Sequence, residues 1–237
     1  MSNGAHVNDL FGTEPAPAWF GKIACLGDFA SRRLPQDTAQ RFDTWLARGV
    51  EASRAQLGER WMNVYLTSPL WRFALAPGVL DGRWWFGVLM PSVDNVGRYF
   101  PLLVTQACNE APHDTSSLNQ LEHWFASIAR AALGTLQPGG TLEHFEAELA
   151  QAPGLPAAEP ATPWPAAQWP ERSRHEVDSG VTLAQCLNEL AVVESLRRFR
   201  GCSLWWSLRP GSGPSSLSTA VGLPGGDSFI HMLEGTW

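Results

Sequence analysis

Residues 83–90 read RWWFGVLM, and after Arg83 the odd and even positions are apolar alike. The run has the length of a strand, is preceded by the turn-forming PGVLDG at 77–82 and is followed by Pro91. A strand apolar on both faces has to be covered on both sides, so it is predicted to be central, with layers packed above and below its sheet.

The segments around it are read against that requirement. WRFALA at 71–76 alternates, with Trp71, Phe73 and Leu75 facing one way and Arg72, Ala74 and Ala76 the other, and MNVYLT at 62–67 reads in the same way. Both are predicted as half-covered strands joined by a turn at Ser68-Pro69. YFPLLVTQA at 99–107 supplies another strand, and links this short favour an antiparallel meander. WFGKIAC at 19–25 is a strand-length run stopped by Gly27 and Asp28, while SLWWSL at 203–208 and STAVGL at 218–223 read as late strands that join the same sheet.

Helical spacing appears between these runs. Phe42, Trp45, Leu46, Val50 and Leu57 share one face, with Asp37 and Gln40 as a capping pair and Gly58 at the end. Leu121, Trp124, Phe125, Ile128 and Ala132 form a second stripe, behind Ser117 and Gln120 and ahead of Gly134. Thr141 caps a short helix burying Leu142, Phe145 and Leu149, and Thr182 with Gln185 starts a longer one ending near Gly201. FIHMLEGTW forms one closing helix. The expected fold is α/β, a three-layer sandwich whose mixed, largely antiparallel sheet carries helices on both faces.

At 237 residues the chain suffices for one large domain or two small ones. Residues 18–237 are read as one domain behind a loose arm at 1–17. Residues 151–180, rich in Pro and Ala, form an extended connection whose Trp164 and Trp169 are expected to lie on the domain surface.

A formal charge of -6 opposes nucleic-acid or anionic-membrane binding as the main activity, since both need a positive field. Cys25, Cys108, Cys186 and Cys202 show no paired spacing and are expected to be reduced and mostly buried. MSNGAHVNDLFG has neither a basic leader nor an apolar stretch, and no run approaches the length of a membrane span, so a cytoplasmic protein is expected.

Templates for chemistry fail one after another. Gly21-Lys22 is followed by Ile23 and lacks the first glycine of a P-loop; there is no GxGxxG after a strand and no GxSxG elbow. The six histidines show no metal-ligand spacing, and Glu143, Glu146 and Glu148 read as a solvated helix face. No cofactor, metal or catalytic residue is expected. Arg197, Arg198 and Arg200 are explained by the negative end of a helix dipole.

Two polar clusters remain, both at strand-to-loop junctions, where sites tend to be built. One joins Asp28 with Arg32 and Arg33 in CLGDFASRRLP, and the other holds Ser92, Asp94, Asn95 and Arg98 in PSVDNVGRYF. Their residue types allow loop architecture, a patch that contacts a partner, or a small anion site.

The stretches GKIACLGDFASRRLP, WMNVYLTSPLWRFALAPG, WWFGVLMPSVDNVGRYFPLLV and SLWW with GLPGGDSFIHMLEG resemble the motifs of the TagF family, also called ImpM, whose members are associated with bacterial type VI secretion systems. The likeness leaves out the N-terminal arm and the Pro/Ala-rich segment. It implies a three-layer α/β sandwich and a cytoplasmic, non-enzymatic repressor of secretion. Such a repressor acts after translation against the threonine-phosphorylation pathway, in some systems through the forkhead-associated scaffold protein Fha. Some relatives carry a fused PppA-like phosphatase domain; here a phosphatase is expected to be a separate protein. The competing expectation is a sensor of a nucleotide or phosphopeptide, or a hydrolase, using the Asp28/Arg32 and Asp94/Arg98 loops.

Overall fold

A computed structural model describes residues 16–156, 182–207 and 216–237. Seven strands form one sheet: β1 (Ala18–Gly21), β2 (Ala30–Arg32), β3 (Trp71–Leu75), β4 (Trp84–Met90), β5 (Leu102–Cys108), β6 (Cys202–Ser207) and β7 (Leu217–Val221). Their order is β2-β1-β5-β4-β3-β6-β7, and every pairing is antiparallel. The sheet is thus antiparallel among the described residues, where a mixed one was expected.

The RWWFGVLM strand is central, as its two-sided apolarity requires: all seven residues of β4 are buried. Alternate residues feed two cores. Trp84, Phe86, Val88 and Met90 face α3 (Thr115–Gly134) and α4 (Leu142–Ala150), whose Trp124, Phe125, Ile128 and Phe145 complete that layer. Trp85 and Leu89 face α1 (Gln36–Leu57), α2 (Trp61–Thr67) and α6 (Gly226–Glu234), which bring Phe42, Leu46, Tyr65 and Phe229. Leu196 and Phe199, at the end of α5 (Leu183–Arg198), pack against the first core.

Gly87 shows how tight the centre is. A Cβ there would stand 2.3 Å from the Val104 carbonyl oxygen and 2.5 Å from the Phe73 ring, so only a hydrogen fits.

Several local readings change. MNVYLT is helix α2, not a strand. It follows α1 through a 3-10 turn at Gly58–Arg60, and its buried residues are Trp61 and Tyr65, four apart and stacked at 4.7 Å. Over six residues an i,i+4 pair and a period-two pattern are hard to tell apart, and the aromatic stack selects the helix. β3 is buried at every position rather than half-covered, because Arg72 lies under α3, donating to Glu122 at 2.6 Å with its guanidinium 5.2 Å from the Phe125 ring centre. WFGKIAC is strand only to Gly21, whose φ of +132° and close approach to the Pro101 carbonyl end it, and β2 had no signal in the sequence.

Caps shift too. α3 is capped by Asp114, which accepts from the Ser117 N–H at 2.9 Å, and not by Ser117 itself. α1 starts behind Pro35 with no side-chain cap, leaving Asp37 in the first turn. Thr141 caps α4 and Thr182 with Gln185 forms the capping box of α5. Cys25, Cys108 and Cys202 are only half-buried, where mostly buried thiols were expected. Trp164, Trp169 and the Cys186 side chain lie outside the described residues.

Candidate functional site

The second polar cluster is built on the link between β4 and β5. Val93 and Tyr99 form an isolated antiparallel bridge, the Asp94 N–H donates to the Arg98 carbonyl at 3.1 Å, and Gly97 turns the chain at φ +84°. This small hairpin wraps its own aspartate. Asp94 Oδ1 accepts from the Val96 and Arg98 N–H groups at 3.1 and 2.9 Å, and Oδ2 accepts from Arg98 Nε at 2.7 Å.

The remaining contact is with Lys22, whose Nζ donates to Asp94 Oδ2 at 2.6 Å and lies 4.8 Å from the centre of the Phe29 ring. The Lys22 and Asp94 side chains are 4% and 0% exposed. Desolvation alone would raise the Asp94 carboxyl; the hydrogen bonds from Lys22, Arg98 and Val96 outweigh it and hold the group well below the usual carboxylate range.

Ser92 and Tyr65 brace the hairpin from below. Ser92 Oγ donates to the Lys22 carbonyl at 2.7 Å, the Ser92 N–H donates to Tyr65 Oη, and Tyr65 Oη donates to the Ser92 carbonyl, both at 3.0 Å. Burial pushes the Tyr65 hydroxyl above the usual phenol range, against the lowering effect of its Ser92 bond. The Asn95 backbone N–H donates to the Leu26 carbonyl at 2.9 Å, tying the hairpin to the loop before β2.

The first cluster divides. Asp28 does not pair with Arg32 or Arg33; its nearest cation is Arg98, 3.7 Å away, and Arg98 also donates to the Gly27 carbonyl. Arg32 and Arg33 turn to Glu146 on α4, at 3.8 and 2.7 Å. Glu146 also accepts from Trp19 Nε1, so it closes a clasp between the sheet edge and the helix layer and is not the solvated residue expected. Burial would raise its carboxyl, but Arg33 and Trp19 bring it below the usual range. Arg33 sits in the left-handed region at φ 59°, held there by its contacts with the Pro17 carbonyl and Glu146.

Arg32 at the end of β2 and Arg33 just after it thus serve the α3/α4 side of the sheet, while Asp28, Asn95 and Arg98 gather beside the α1/α2 side. There the Arg98 side chain, 54% exposed, lines an open groove of about 760 Å³ together with Trp61 and Tyr99. Sequence reasoning missed Lys22, Tyr65 and Glu146. Lys22 did carry a signal, as the single lysine among 17 basic residues, set in an apolar run.

Residues 18–152 match the family model of the TagF N-terminal domain, described as type VI secretion system-associated. The chain belongs to the TagF family. A crystal structure of PA0076 from Pseudomonas aeruginosa PAO1 is similar to it, with 39% sequence identity, a TM-score of 0.68 and coverage of 93% of this chain and 94% of that one. No curated protein sequence matches it significantly. The family match spans β1 to α4 and so includes every residue of the two polar clusters. This TagF-family chain is a type VI secretion-associated protein, and among its described residues no helix is long and apolar enough to cross a membrane.

Proposed function

We propose that this TagF-family chain restrains type VI secretion after translation, acting in the cytoplasm by binding a signalling or assembly component of the machine, with the forkhead-associated scaffold Fha as first candidate. It acts by contact and catalyses no reaction. The observation that carries this reading is the state of Asp94. All four of the hydrogen bonds it accepts come from Lys22, Val96 and Arg98, and both its cationic partners already press on it. A general base or nucleophile needs a lone pair free for substrate, whereas this carboxylate is spent on holding a loop. What the loop turns outward is Arg98, Asn95 and Val96, beside Asp28, a surface fit for recognition.

Bound preferentially to one state of a partner, such a surface shifts the machine toward that state by no more than its difference in affinity. Deleting the chain is expected to raise secretion of a type VI effector in the native bacterium, and restoring it to return secretion to the starting level. A deletion that lowers secretion would assign the chain to the apparatus itself. Capture of Fha by the purified chain tests the named partner, and phosphate release by the chain, abolished by Asp94→Asn, would establish the hydrolase reading in its place.

A further inference from the structure

The groove beside Arg98 has a composition of its own. Trp61 and Tyr99 stand edge-to-face with centroids 6.1 Å apart, Tyr65 stacks behind Trp61, and the Arg54 guanidinium lies 4.2 Å from the Trp61 ring centre. Arg98 closes one side and Met62, 46% exposed, offers a flexible apolar contact. Glu59 is the acidic residue of the lining, set against two arginines.

The arginines keep charge to offer. Asp94 is shared between Lys22 and Arg98, so two cations divide one anion, and Asp28, 81% exposed at 3.7 Å, answers Arg98 through water-screened space. Arg54 rests on an aromatic face and donates no hydrogen bond to a carboxylate among the described residues, which leaves its guanidinium available for one. On a chain of formal charge -6 the groove is a cationic exception. Its breadth and open mouth suit an extended segment better than an enclosed small molecule. We infer that this groove is the docking surface for an acidic peptide segment of a partner protein, carboxylates meeting Arg54 and Arg98 while an apolar side chain lies against Met62 and Tyr99. The inference rests on the proposed binding role and names the chemistry of the partner.

Fluorescence anisotropy of the full chain with a labelled peptide alternating glutamate and leucine tests it, with lysine replacing glutamate in a control. The acidic peptide is expected to bind at least about tenfold more tightly than the control, and Arg54→Glu and Met62→Asp each to weaken it about tenfold at an unchanged thermal midpoint. Met62→Asp alters an exposed side chain and keeps the test open should Arg54→Glu perturb the fold. Equal binding of the two peptides, or no effect of either variant, would overturn the assignment. So would a dimer in sedimentation equilibrium that Met62→Asp dissolves, since the groove would then belong to a second copy of the chain. If deletion raises secretion while these variants bind and repress normally, the groove fails and the repressor reading stands. If the acidic peptide binds as expected but deletion brings no rise in secretion, the groove stands and the repressor reading fails.

Discussion

Lys22 is the residue on which the polar loop turns. An ammonium is a compact charge with three donors, and it fits between Asp94 Oδ2 and the Phe29 ring where the wide fork of an arginine would need more acceptors than the site has. Because no other lysine exists in the chain, a lysine-specific protease reports on this one site. Native cleavage after Lys22 is expected to run at least about a thousandfold slower than in the urea-unfolded chain, since only the open form is cut. Asp94→Asn strands the ammonium and is expected to accelerate native cleavage between about ten- and a hundredfold. Rapid cleavage of the native wild type would show that Lys22 is not enclosed as described.

At the scale of elements, β4 sets the terms for its neighbours. Two-sided burial leaves Gly87 no room for a side chain: the obstacle is the Val104 carbonyl on β5, part of the sheet backbone, and not only the Phe73 ring, which could turn aside. Gly87→Ala is therefore expected to cost about 3 kcal/mol, at the upper end for overpacking, read as a lower urea midpoint at unchanged slope. A wild-type midpoint would mean that β4 and β5 part without cost. The elements that sequence periodicity mistook are those where few residues carry the pattern. Helix α2 spans only seven residues, and its Trp61–Tyr65 spacing fits two periods of a strand equally well, whereas the stripe of α3 from Leu121 to Ala132 repeats over about three turns and reads clearly.

At the scale of the molecule, four carboxylates hold the layers and loops in an ionised state. Asp94, Glu146, Asp81 and Asp114 all lie below their usual range: in each, burial raises the group and is outweighed by hydrogen bonds, from Lys22, Arg33, Arg83 and Ser117 respectively. A carboxylate depressed in the folded chain takes up protons on unfolding, so its contribution is present above the unfolded value and lost as the pH falls. The urea midpoint is expected to be level near neutrality and to drop between about pH 5 and pH 2. Glu146→Gln, which loosens the clasp between the sheet edge and α4, is expected to flatten part of that fall; a profile identical to the wild type would show that the clasp adds nothing to acid sensitivity.

Local pattern by itself determined the layered architecture, because a short run apolar on both faces has one stable home, inside a covered sheet. It determined the long helices, whose stripes repeat often enough to exclude another period, and it placed Asp94 and Arg98 together, since four residues in a turn cannot be far apart. Tertiary structure alone decided how the charges pair. Asp28 and Arg32 are neighbours in the chain, yet Arg32 turns to Glu146 and Asp28 to Arg98, because Asp28 stays in the loop beside the β4–β5 hairpin while Arg32 ends β2 within reach of α4. Lys22 and Asp94 meet across 72 positions, and the groove draws on α1, α2 and the loop before β5. Sequence spacing carries information about contacts within an element; contacts between layers depend on how the sheet is ordered, and no local period encodes that order.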